Sequence, residues 1–100
     1  MFDYEMVEAG LVALHQDASR FEGWARDLVG RMIGAGEYRL ALDELSYAYL
    51  NNDEPMPAEL FAVFERLAVE MDMEGDPGCA AVGELRVKMK ARAASGRASA

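Results

Sequence analysis

The side chains able to do acid–base, nucleophilic or metal chemistry are few in this chain, and their spacing decides how far each can go. His15 is the single histidine and Cys79 the single cysteine. Their number excludes a two-imidazole metal site, a thiolate cluster and an intramolecular disulfide. His15 falls at the end of a predicted helix, where a cation facing the negative dipole or a capping hydrogen bond explains it better than general-base work. Ser46 sits mid-helix without the Gly-x-Ser-x-Gly turn that exposes a nucleophile. Gly30, Gly34 and Gly36 make no phosphate cradle, since no strand precedes them and no lysine follows. Asp72, Glu74 and Asp76 alternate as calcium ligands do, but Pro77 stands where such a loop needs glycine and Gly83 where it needs a closing glutamate. The pairs Asp43-Glu44 and Asp53-Glu54 are neighbours in sequence, whereas glycosidase chemistry needs two carboxyls facing each other across a cleft. The expectation is a protein that is not an enzyme, uses no metal or cofactor, and works by binding another macromolecule.

Charge narrows the kind of partner. Residues 1–76 carry 17 Asp and Glu against 5 Arg, a net of −12, while residues 77–100 carry 1 Glu against 5 Lys and Arg, a net of +4. An acidic body repels nucleic acid and anionic membrane and attracts basic proteins. The basic tail lacks the interleaved aromatics of a nucleic-acid motif. No apolar run is long enough to span a bilayer, and early acids stand where a secretory signal would carry bases, so a cytoplasmic location is expected.

The elements that must position any binding face are helical. Tyr4, Val7, Leu11 and Leu14 recur at helical spacing over residues 3–15, with Gly10 as a weak point. Ser19, followed three residues later by Glu22, reads as the N-cap of a second helix that carries Phe21, Trp24, Ala25, Leu28, Val29 and Met32 and ends in Gly34-Ala35-Gly36. A third helix, residues 37–51, has Tyr38, Ala41, Leu42, Leu45, Ala48 and Tyr49 as its inward stripe. Pro57 opens a fourth helix bearing Leu60, Phe61, Phe64, Leu67, Ala68 and Met71, which Gly75-Asp76-Pro77-Gly78 terminates. Residues 85–90 alternate with period two as a strand would, yet Val82, Leu85 and Met89 also share a helical face. Helix is preferred there, because no other run offers a strand partner. The expected fold is all-α: a small antiparallel four-helix bundle, 1–76, with a fifth C-terminal segment, 77–92, packed or partner-contacting, and a disordered tail at 93–100.

On the third helix the inward stripe leaves Asp43, Glu44 and Tyr47 pointing elsewhere, and a tyrosine among carboxylates suits an interface anchor. Asp53 and Glu54 in the following loop, and Glu59 in the next helix, could extend these residues into one acidic patch. The alternative is a Tyr47 half-packed on a neighbouring helix among solvated acids.

The stretch Gly36-Glu37-Tyr38-Arg39-Leu40-Ala41-Leu42-Asp43-Glu44-Leu45, then a polar loop, a Pro-started helix and Leu67-Ala68-Val69-Glu70-Met71-Asp72-Met73, resembles the small MafI-type immunity proteins of bacterial polymorphic and contact-dependent toxin systems. The similar region runs from about Ser19 to Met73. The resemblance implies an antitoxin that binds and neutralises a cognate secreted toxin, a nuclease with a basic toxin domain, in the cytoplasm. The basic segment 77–100 departs from the pattern. A monomer is expected, with a homodimer built on Leu85–Met89, a non-enzymatic dimerisation or regulatory module, as the rival.

Overall fold

A computed structural model describes residues 2–52, 55–73 and 75–99, with side chains to residue 94. Helix α1, Tyr4–Ala18, starts where the Asp3 carboxylate accepts the Met6 N–H at 3.0 Å, and it buries Val7, Gly10, Leu11, Leu14 and Ala18. Those five positions follow the helical repeat, so one face is apolar throughout. Gly10 permits a close approach of α1 to α4: a Cβ there would stand 2.9 Å from Val63 Cγ1 and 3.0 Å from Leu67 Cδ2. The position expected to weaken α1 is the seam along which α1 meets α4.

The second helix differs from the sequence expectation. Ser19 does not open it; α1 runs on to Ala18, and the Ser19 hydroxyl donates back to the His15 carbonyl at 2.9 Å. Helix α2, Arg26–Gly34, begins only after a turn that buries Phe21 and half-buries Trp24, and its inward residues are Val29 and Ile33, with Leu28 exposed. The Ser-x-x-Glu spacing is met, but the backbone of Ser19 still belongs to the preceding helix. Gly36, at φ +77°, ends α2 in a Schellman turn, with the Gly36 and Glu37 N–H groups donating to the Ile33 and Met32 carbonyls.

Helix α3, Tyr38–Asn52, buries Ala41, Leu42, Leu45, Ser46, Ala48 and Tyr49 and packs on α1, α2 and α5. Helix α4, Ala58–Glu70, follows Pro57, whose φ of −53° is preset for the helix start, and buries Phe64, Leu67 and Ala68. A 3-10 turn, Pro77–Cys79, leads into α5, Ala80–Ser99. Ala81, Val82, Leu85 and Met89 of α5 are buried at helical spacing, which resolves the period-two ambiguity: Val87 projects outward with 71% of its surface exposed. Helix α5 runs to Ser99, with side chains from 95 onward outside the described residues.

The fold is therefore an all-α bundle, and among the described residues there is no strand. Successive helices alternate in direction. Tyr4 meets Tyr38 at the start of α1 and α3, Asp17 meets Tyr49 toward their ends, and α4 returns from Pro55, beside Arg20, to Met71 near that start. Helices α1, α3, α5 and α4 close a ring around one core, and α2 packs on its outside against α1 and α3. The fifth segment thus completes the ring, with Val82, Leu85 and Met89 joined to the core of residues 1–76. A Cα radius of gyration of 13.1 Å is that of one compact 100-residue unit. No helix among the described residues is long and apolar enough to cross a membrane.

Candidate functional site

Two faces of the bundle present side chains that the core does not consume. The first is the outward stripe of α3. Leu40, Glu44 and Tyr47 follow one another at helical spacing; Leu40 is 55% and Tyr47 48% exposed, and Glu44 is half-buried. Two large apolar groups therefore flank a carboxylate on this outward stripe.

Asp43 is placed differently from its neighbours. It turns toward the 3-10 turn, where Arg39, Leu40, Asp76, Gly78 and Cys79 line a shallow cavity with it. Its Oδ1 is buried with no hydrogen-bond partner among the described residues, and burial pushes its carboxyl above the usual range. Arg39 is close by but donates to Asp76 Oδ2 at 2.6 Å. The Gly78 N–H, at 2.8 Å from Asp76 Oδ1, and then Arg39 hold the Asp76 carboxyl below its ordinary range. Cys79 is half-buried, and burial followed by the Asp76 charge raises its thiol, so it is poorly disposed to react. Asp76, whose spacing in the sequence resembles that of a calcium loop, caps the 3-10 turn instead. Among the described residues no group of three or more His, Cys, Asp or Glu side chains is arranged to hold a metal ion.

Of the other residues expected at the interface, Glu59 is exposed in the first turn of α4, a helix that packs chiefly on α1 and α5. Asp53 and Glu54 lie outside the described residues. The structure thus brings Glu44 and Tyr47 together on one face, with Asp43 turned inward beside them.

The second face is a groove of about 430 Å³ at the start of α1 and α3, which the helical stripes alone do not reveal. Tyr4, expected on the inward stripe of α1, is 65% exposed. Its ring lies 4.6 Å from Phe2 and 6.3 Å from Tyr38, centroid to centroid and steeply tilted to both. Asp3 N–H donates to Glu70 Oε1 at 2.9 Å, which ties this aromatic wall to the end of α4. The signal in the sequence is Phe2 before the N-cap Asp3, a residue that stands outside the helical stripe, followed by Tyr4 in the first turn of α1.

His15 is not held as a cation at the end of α1. The Trp24 indole N–H donates to His15 Nδ1 at 3.1 Å, which requires that nitrogen to be unprotonated. Burial and then Arg26 lower its pKa. The contact joins the last turn of α1 to the loop before α2, a structural role. No protein-family model, curated protein or solved structure matches the chain.

Proposed function

We propose that this protein is an immunity protein that binds a cognate bacterial toxin, a nuclease with a basic toxin domain, and neutralises it by stoichiometric association. The observation that carries the reading is the outward stripe of α3, where exposed Leu40 and Tyr47 are interleaved with Glu44 on a body of net charge −12 over residues 1–76. A nuclease cleft is basic because it must hold phosphates, and an acidic face with an aromatic anchor complements it in charge while supplying apolar area to bury. Tyr47 is the anchor; Glu44, Glu59, Asp53 and Glu54 steer and orient, and Asp43 contributes from the edge of the stripe. The Gly36–Leu45 element that resembles MafI-type proteins supplies this same helix. Such a partner would be met in the cytoplasm of the producing cell.

Leu85 and Met89, the residues of the rival dimerisation reading, are buried in the core, and light scattering on the full chain separates a monomer from a dimer that exchanges this segment. Co-expression with the product of the adjacent gene tests the proposal. Growth should be rescued and the two proteins should co-elute on gel filtration. Replacing Tyr47 by Ala together with Glu44 by Ala should weaken the complex by about tenfold or more, the loss of one anchor residue. Absence of both rescue and complex would end the immunity reading.

A further inference from the structure

The groove between the start of α1, the start of α3 and the end of α4 is lined with apolar and aromatic groups and rimmed with acids. Phe2, Tyr4, Tyr38, Leu40 and Met71 form its floor and walls, and Glu37, Glu70 and Asp72 stand around it. Arg39 is the one cation in the lining, and the Asp76 carboxylate outside the groove engages it at 2.6 Å. The C-terminal end of α4, at Glu70–Met71, adds the negative pole of a helix dipole to this opening. Glu37, immediately before α3, offsets the positive pole of that helix.

Asp72 is the sharpest feature of the rim. It ends α4 in a Schellman turn at φ 55°, its N–H donating to the Val69 carbonyl while the Met73 N–H donates to the Ala68 carbonyl. Glycine fits that position without strain, and a negative charge at a helix C-terminus opposes the dipole. The chain nevertheless places an acidic residue there, in the lining of the groove.

The geometry points to a receptor for one arginine side chain of a basic partner protein. A guanidinium stacks on aromatic faces and pairs with carboxylates, and its methylene stem covers apolar surface such as Leu40 and Met71. Phosphates and anionic lipid are repelled by the same rim. This inference deepens the reading of α3 given above and rests on it in one respect, that the natural partner is basic; the groove shares Leu40 with the α3 stripe and would receive an arginine at its edge.

The full chain titrated with N-acetyl-arginine amide, followed by amide proton–nitrogen NMR, tests it. The shifts should be confined to Tyr4, Gly36 through Leu40, and Asp72. The uncharged isostere N-acetyl-citrulline amide should bind at least about fivefold more weakly, and Tyr4→Ala or the pair Glu37→Gln with Asp72→Asn should each cost about fivefold or more. Asn accepts the left-handed backbone at 72, Tyr4 and Glu37 are exposed, and the spectrum of each variant reports its folding. Glu22→Gln, an exposed acid in the turn after α1, should leave binding unchanged. Equal binding of citrulline, shifts spread over the acidic surface, equal damage from Glu22→Gln, or a concentration-dependent dimer that Tyr4→Ala abolishes would each overturn the proposal. Arginine capture without toxin rescue upholds the groove and removes only the immunity reading; rescue without arginine capture overturns the groove alone.

Discussion

Helices α1 and α3 lie side by side in parallel, and the two ends of their seam use tyrosine, carboxylate and arginine in opposite ways. Toward the C-terminal end the buried Tyr49 hydroxyl donates to Asp17 Oδ2 at 2.5 Å. Arg20 meets Asp17 Oδ1 at 3.4 Å, donates to the Pro55 carbonyl at 3.1 Å and lies over the Phe21 ring, which itself packs edge-on against Tyr49. Burial first, and then Asp17, push the Tyr49 phenol above its ordinary value. At the N-terminal end Tyr4 is exposed and Tyr38 half-buried, Glu37 and Asp72 rim the groove, and Arg39 pairs with Asp76. The closed cluster ties α1 to α3 because its groups satisfy one another around the buried Tyr49, with Arg20 reaching the surface; the open one of the same parts leaves Tyr4 and the rim acids in contact with solvent.

That contrast gives a first test with a large effect. Tyr49→Ala should destabilise the chain by about 3–5 kcal/mol, as aromatic truncation in a packed core does, whereas Tyr4→Ala should fall within about 0.5 kcal/mol of wild type. Chemical denaturation of both variants checks this, and similar losses would erase the distinction between the two ends. A second test acts on the seam that carries the walls of the groove. Gly10→Val should cost about 1–3 kcal/mol, because Val63 and Leu67 already occupy the space. It should also shift the Tyr4 and Asp72 amide signals as α1 and α4 are pushed apart.

The third variant separates stability from binding. Asp72→Gly should gain about 1 kcal/mol by removing a side chain from a left-handed position and a charge from the negative pole of a helix, while weakening arginine capture. A Gly variant that is no more stable, or that binds as well as the parent, would mean the carboxylate at 72 has no cost to explain. The smallest expected effect is on pH. His15 has its pKa lowered by folding, so the unfolded chain binds the extra proton first: stability is level above about pH 6.5 and falls as the pH drops below it. Thermal unfolding from pH 7.5 to 5 should show that acid-side loss together with a change in Trp24 fluorescence, and His15→Gln should remove it.

Much of the architecture is legible in the order of the residues. The stripes of α3 and α4 and the Gly36 turn follow from helical period and backbone sterics, which act locally. The misleading signal is also local: Ser19 with Glu22 matches a capping box, but the α1 face ends on the buried Ala18, and that packing carries the helix past the signal. Of the expected site, Glu44 and Tyr47 face outward as their positions require, since α3 is covered on its other sides. Asp43 cannot be placed in this way, because the 3-10 turn and Cys79 that shelter it lie more than thirty residues away in sequence.

By itself the sequence determined the helical class, the acidic body set against a basic C-terminal segment, and the poverty of catalytic side chains, all of which depend on composition and short-range spacing. Only the tertiary structure decided that α5 closes the core ring, that Gly10 is a helix–helix contact, and that Phe2, Tyr4, Tyr38 and Asp72 share one groove. Those outcomes depend on which apolar faces find each other across the chain, and burial, unlike helical period, is settled by all of the helices at once.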